Sequence, residues 1–295
     1  MLIASRNREA SADAVTRITQ ECGGGAASEL GLDLASTASV RTFAQEIERR
    51  DCALHALVCN AGVQVFRGPQ LSPDGYELTF AVNHLGHFLL TNLLLSRLIR
   101  SAPARVVIVS SGVHDPMQRT GMPKATATDV ETLATTGGCT GEFDGRLAYV
   151  NSKLCNLWFA YELIRRIDAA GLSSAAPPVS VNAFDPGLVP GSGLARDYPS
   201  PLRFIWDRIL PAVARLLTPL VPTINPAPKA GAALANLVLD PALNGVSGKY
   251  FPSHARWRAA PSSDASYDRE RAQSLWEESV RMTQLTPADS PLIGA

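Results

Sequence analysis

Short apolar runs at residues 2–5, 29–34, 56–59, 105–110 and 179–184 alternate with longer stretches whose apolar positions recur every three or four residues. The short runs predict strands buried on both faces. The longer stretches, at 8–21, 35–49, 74–100, 146–170 and 227–239, predict helices with one apolar face, and a last strand is expected at 248–251. Strand and helix follow one another so regularly that the pattern predicts βαβ units: an α/β fold with a parallel sheet covered by helices on both sides.

Two segments break the rhythm. Residues 114–144 are rich in Gly, Thr and Pro and too long for an ordinary connection, which predicts a functional loop or small subdomain at a cleft. Residues 186–228 are rich in proline and contain an amphipathic stretch, 202–221, where Leu, Ile and Val are interrupted by Arg203, Asp207, Arg208 and Arg215. The first reading of that stretch is a helix packed over the cleft; the second is a helix that also rests on a membrane surface. Gly23-Gly24-Gly25 follows a predicted helix and precedes a strand, so it reads as a helix-ending turn. A phosphate-binding loop needs the opposite order, with a helix N-terminus facing the anion.

With 295 residues, 46% of them hydrophobic, and no low-complexity linker, residues 1–295 are expected to form one domain. Formal charge is zero, so no basic field points to nucleic acid. Cys22, Cys52, Cys59, Cys139 and Cys155 are odd in number and lack metal-ligand spacing, which fits a reduced, cytoplasmic compartment and no metal. No signal-peptide pattern opens the chain, and no run of about 18 uncharged apolar residues is present.

The candidate chemistry lies in Tyr149-Val-Asn-Ser-Lys153, which sets a phenol and an ammonium one turn apart on one helix face. A cation beside a phenol favours the phenolate and draws its pKa from about 10 toward the working range. Such a pair can arise by chance, so the order of the other residues matters. Ala56-Leu-Val-Cys-Asn-Ala-Gly62 is a strand ending in a tight polar turn, Asn83 lies one turn inside a long helix, and Arg105-Val-Val-Ile-Val-Ser-Ser111 is a strand ending in two hydroxyls. In this order and spacing the chain resembles the short-chain dehydrogenase/reductase family nearly end to end. Phe80-Ala-Val-Asn-His-Leu-Gly-His-Phe88, the gap between Ser111 and Tyr149, and a tail with Ser247-Gly-Lys-Tyr-Phe251 and Leu275-Trp-Glu-Glu-Ser279 resemble its retinol dehydrogenase and protochlorophyllide reductase-like branch.

The resemblance implies a Rossmann-type doubly wound sheet and an NADP-dependent oxidoreductase that interconverts a carbonyl and an alcohol on a lipophilic small molecule. Tyr149 is then the proton donor or acceptor, Lys153 lowers its pKa and binds the nicotinamide ribose, Ser111 donates to the substrate oxygen, and Asn83 holds a water behind the lysine. Cofactor contacts fall at strand ends: Asp33 and Leu34 beside the adenine, Asn60, Ala61 and Gly62 against the adenosine ribose, and Pro186, Gly187, Leu188, Val189 and Ser192 along the nicotinamide. Arg6, where a carboxylate would grip a ribose 2′-hydroxyl, favours the 2′-phosphate, hence NADP over NAD. Residues 186–228 correspond to the region that caps the substrate in the family.

One family segment has no counterpart. The opening strand and the Thr-Gly-x-x-x-Gly-Ile-Gly loop are absent, and the chain starts at the following strand. The expectation is therefore a sequence that begins inside a longer enzyme, with a vacancy in the sheet between 2–5 and 56–59. The alternative is a non-catalytic binding module that has lost the phosphate loop. A nucleotide-sugar epimerase or dehydratase with the same Tyr-Lys pair fits less well, because those chains run longer.

Overall fold

The computed structural model describes residues 1–24, 27–66, 68–126, 128–172, 179–217, 221 and 223–294. Gly25 and residues 218–220 of the amphipathic stretch lie outside them. In chain order the main elements are β1 (Leu2–Ser5), α1 (Arg8–Glu21), β2 (Ser28–Gly31), α2 (Thr37–Arg49), β3 (Ala56–Cys59) and α3 (Leu78–Arg100). There follow β4 (Ala104–Val109), α4 (Val130–Thr136), α5 (Gly145–Ala169), β5 (Val179–Asp185), α6 (residues 200–217), α7 (Ala227–Leu239), β6 (Tyr250–Pro252) and α8 (Arg269–Thr283).

Every strand pairing between these elements is parallel, and helices cover the strands in a Rossmann-like arrangement. The strands form two sheets, β1-β2 and β3-β4-β5-β6, so β1 and β3 are not hydrogen-bonded to each other. This is where the sequence predicted a vacancy. It also corrects one expectation: β3 was read as buried on both faces, yet Val58 is 36% exposed, because β3 pairs on one side only.

Alternation along β4 divides the core. Val106 and Ile108 pack among Phe88, Leu94 and Leu98 of α3 and Leu163 of α5, whereas Val107 and Val109 face Leu237 of α7 and Phe251. A strand flanked by helices on both faces has to be apolar at every position, which is why β4 reads as a continuous run. Helix α3 is long and apolar enough to cross a membrane, where no such run was expected, but 89% of its apolar window is buried inside the fold. It is a core helix.

Caps explain where several elements begin. The predicted helix at 35–49 starts at Thr37 because the Ser36 side chain accepts from Ser39 N–H. The helix predicted from 74 starts at Leu78: Asp74 is diverted to Thr37 N–H at 2.8 Å, while buried Glu77 caps Thr79 and Phe80. Gly23 and Gly24 have φ of 77° and 115°, and Gly24 N–H returns to the Thr19 carbonyl, so this turn does end α1. The long 114–144 segment carries the short helix α4, capped by Asp129. The terminal helix α8 had no place in the strand-helix pattern; it packs Leu275 beside Leu154 and Trp158 of α5, and Trp276 against Phe88 and Phe159.

Gly86 in α3 lies so close to the chain after β2 that an added Cβ would sit 2.3 Å from the Leu34 carbonyl oxygen. Gly86→Ala is therefore expected to lower stability by about 1–3 kcal/mol in urea unfolding. Gly231→Ala in α7, where a Cβ meets nothing within 4 Å, is expected to be neutral or stabilising.

Candidate active site

Ser111, Tyr149, Lys153, Asn83 and Gly62 meet at the carboxyl ends of β3 and β4, the location at which open parallel sheets bind ligands. Helix α5 is clasped to β4 by three bonds. Lys153 Nζ donates to the Val109 carbonyl at 3.2 Å, Asn156 Nδ2 donates to the same oxygen at 3.0 Å, and Ser110 Oγ donates to the Lys153 carbonyl at 2.7 Å. Ser110 is thus consumed by the clasp, and Ser111 remains as the hydroxyl near the Tyr149 phenol, whose pKa it lowers.

Asn83 sits in a π-type turn of α3, where Gly86 N–H reaches back to the Ala81 carbonyl. Its side chain accepts from Val63 N–H at 2.8 Å and donates to the Val63 carbonyl at 3.0 Å and to Ser152 Oγ at 2.9 Å. One amide therefore binds the loop after β3 to α5. Asn83 Oδ1 and Lys153 Nζ each lie 3.5 Å from the point where a Gly62 Cβ would be, so the loop backbone, the amide and the ammonium share one small space.

Burial dominates the electrostatics. Tyr149 is 8% exposed, and desolvation pushes its phenol well above the ordinary range; the negative charge of Asp185 and the phenol of Tyr198 push the same way, while Ser111 opposes them. Burial is the largest of these effects on the phenol, and the pull expected from Lys153 is not among them. The ammonium is bonded to Val109 and lies 5.5 Å from the Tyr149 ring centre, and it is itself lowered to about 8 by burial, with Asp185 holding it up. Burial accordingly favours the neutral phenol, the form that can give a proton.

The other expected positions are more scattered. Asn60 and Ala61 follow β3, and Asn60 N–H bonds the Val58 carbonyl. Pro186, Gly187, Leu188 and Val189 follow β5 and are pinned to 223–225: Asn225 Nδ2 donates to the Pro186 carbonyl, and Leu188 N–H to the Thr223 carbonyl at 2.7 Å. Gly187 has φ of 74°, and a Cβ there would lie 2.4 Å from the Thr223 oxygen. The Ser192 carbonyl accepts from Trp206 Nε1 at 3.0 Å, which fastens α6 to this segment. Arg6 is exposed at the end of β1. Asp33 spends one carboxylate oxygen on Ala35 N–H, and the Leu34 side chain is buried in the core. Arg6, Asp33 and Leu34 thus lie at the ends of the separate β1-β2 sheet.

Several neighbours of the site were not singled out from the sequence. Asp185, the last residue of β5, is 2% exposed; its own signal was a carboxylate directly before Pro-Gly at the end of a buried strand. His114 Nδ1 donates to the Ser111 carbonyl and Nε2 accepts from Ser263 N–H at 3.3 Å, which fixes a neutral ring; burial lowers its pKa. Phe66, Tyr198 and Trp206 form an aromatic group, with Phe66 and Tyr198 ring centres 4.4 Å apart, and Tyr198 OH donates to buried Gln64 at 3.4 Å. Among the described residues no cluster of His, Cys, Asp and Glu could hold a metal ion.

A family model described as short chain dehydrogenase matches residues 1–126. The WW domain-containing oxidoreductase of Homo sapiens is 35% identical over 291 residues, covering 96% of this chain and 62% of that protein. The chain therefore spans less than two thirds of that relative. Retinol dehydrogenase 14 of Mus musculus is 35% identical over 295 residues, covering 96% of this chain and 78% of the relative. Among solved structures, an uncharacterised protein from Mycobacterium paratuberculosis superposes with a TM-score of 0.61 at 27% identity, covering 96% of this chain and 83% of that one.

Lys153 gives the site a measurable cost in stability. Its pKa falls from 10.5 in the unfolded chain to about 8 in the fold. Below pH 8 both states carry the proton and the fold bears the full cost of burying it; between about 8 and 10.5 the folded chain sheds the proton first and that cost fades. Lys153→Met is expected to be more stable than the parent at pH 7, by up to about 3 kcal/mol, with the difference shrinking toward pH 10 in denaturant titrations.

Proposed function

Because this chain belongs to the short-chain dehydrogenase/reductase family, in its retinol dehydrogenase-like branch, we propose that it interconverts a carbonyl and an alcohol on a lipophilic small molecule with NADP as cofactor. The observation that carries this reading is the meeting of a protonated Tyr149 phenol, the Ser111 hydroxyl and the buried Lys153 ammonium at one strand end. When bound, the nicotinamide supplies or accepts the hydride. Tyr149 gives its proton to the substrate oxygen in reduction and takes it back in oxidation, and Ser111 donates a hydrogen bond to that oxygen as charge develops. Lys153 stabilises the phenolate left behind, while Asn83 holds the loop and helix in register.

The residues present fit much of the cofactor. Lys153 and the pinned 186–189 segment suit the nicotinamide ribose and ring, Asn60, Ala61 and Gly62 the adenosine ribose, Asp33 and Leu34 the adenine, and Ser192 the nicotinamide side. Arg6, exposed at the end of β1, is the candidate for the 2′-phosphate, and the Arg8 guanidinium lies against Gly31 at the end of β2. The second reading is a binding module without turnover.

A lipophilic substrate accords with the aromatic group around Tyr198 and with a relative named for retinol. Residues 186–228 are the proposed cap of the substrate, within one domain formed by 1–295. The exposed Leu202, Phe204, Ile205 and Ile209 of α6, beside Arg203 and Arg208, suit peripheral contact with a membrane from a cytoplasmic position.

Screening NADPH-dependent reduction of hydrophobic ketones and aldehydes, with binding measured in parallel, separates the two readings: binding without turnover supports the module. With a substrate in hand, Tyr149→Phe is expected to lower kcat by at least about 100-fold with NADPH affinity nearly unchanged. Turnover like that of the parent overturns the role of Tyr149. Arg6→Ala is expected to weaken NADPH binding by about tenfold or more and NADH binding much less, since only NADPH loses a charge-assisted contact. Equal losses for both cofactors would leave Arg6 without a selective role.

A further inference from the structure

Asp185 is a buried carboxylate that the proton chemistry above does not use. It ends β5, 2% exposed, with Oδ1 accepting from Gly187 N–H at 2.8 Å and Oδ2 from Ser253 Oγ at 3.2 Å. Among the described residues it takes part in no ion pair. A carboxylate buried without a paired cation costs stability unless something else offsets it.

The strand register shows what it faces. Val109 of β4 pairs with Phe184, and Ser110 N–H bonds the Phe184 carbonyl at 2.8 Å, so Asp185 lies one step beyond the Val109 carbonyl that holds Lys153. Its charge acts on Tyr149 and Lys153 from α5, on His114 from the segment after β4 and on Tyr250 from β6; Ser253 and Trp257 bond it, and Asp115 and His254 act on His114 beside it. His114 is held neutral by its two backbone partners and His254 is exposed, so Lys153 is the buried cation within this group. His87, on which Lys153 also acts, is buried, and burial lowers its pKa to about 4.

We propose that Asp185 is a positioning residue that holds Lys153 as an ammonium and Tyr149 as a phenol, keeping the site charged for proton donation to a carbonyl. The proposal rests on the assignment of Tyr149 and Lys153 made above. Its sign is unambiguous for reduction. A negative charge favours the protonated form of both neighbours, so both pKa values should fall when Asp185 is neutralised, and the competent state is lost at lower pH.

The lysine can be followed without any substrate. The chain has four lysines, Lys124, Lys153, Lys229 and Lys249, so NMR of protein labelled with 13C at lysine Cε gives a signal for each, and Lys153→Arg identifies the buried one. In the parent chain the Lys153 signal is expected to titrate near 8. In Asp185→Asn, which keeps an oxygen for Gly187 N–H, its midpoint should drop by about one pH unit or more while the other three stay put. Asp185→Ser, also uncharged, carries the same expectation and serves if the amide disturbs folding.

An unchanged Lys153 midpoint in a folded variant overturns the proposal, whether or not a substrate has been found. A lowered midpoint in a chain that shows no turnover supports the electrostatic role and counts against the catalytic reading alone. With an active parent, the alkaline limb of kcat/KM for reduction should move down by the same interval, so that the loss is greater at alkaline pH than at pH 6. An equal loss at every pH would show a merely structural residue and overturn the proposal.

Discussion

The Val109 carbonyl oxygen is the point on which the site depends. It terminates β4 and receives both the Lys153 ammonium and the Asn156 amide, while Ser110 returns a hydroxyl to the Lys153 carbonyl. A strand end normally leaves its last carbonyl to water or a loop. Here that acceptor fixes both the rotation and the height of α5 against the sheet, so Tyr149, one turn before Lys153, can only face Ser111. An ammonium held by a backbone oxygen in a buried place is also why burial, rather than mutual attraction of the pair, sets the phenol and lysine pKa values in this structure.

A second constraint works from the other side. The π-type turn in α3 turns Asn83 toward Val63 and Ser152, and the amide satisfies both backbone groups of Val63 at once. Without it the loop after β3 would have a buried N–H and C=O to satisfy. Since Asn83 and Lys153 approach Gly62 equally closely, the loop, α3 and α5 converge on one residue without a side chain. The open side of β3 contrasts with this. With no partner toward β1 it leaves Val58 part-exposed, and the β1-β2 unit carries Arg6 and Asp33 as a sheet of its own.

Much of the architecture was legible because buried parallel strands and amphipathic helices impose different periods on the chain. Helix 8–21, strand 56–59 and helix 227–239 were placed to the residue. Boundaries moved where a polar side chain was claimed elsewhere: Ser36 became a cap, Asp74 a partner of Thr37, and Asp185 the last strand residue before Gly187. Helix α8 was passed over because its charged surface alternates with Leu275 and Trp276, whose partners on α3 and α5 lie far away in sequence.

Sequence alone determined the alternation of strands and helices, the parallel sheet, and the membership of Asn83, Ser111, Tyr149 and Lys153 in one order, because hydrophobic period and residue spacing are local properties. Only the tertiary structure decided that Ser110 is spent on the clasp, that Asp185 ends its strand one step beyond the carbonyl that holds the lysine, and that burial raises the Tyr149 phenol. Those facts depend on which atoms are removed from water together, and desolvation arises from the packing of distant segments.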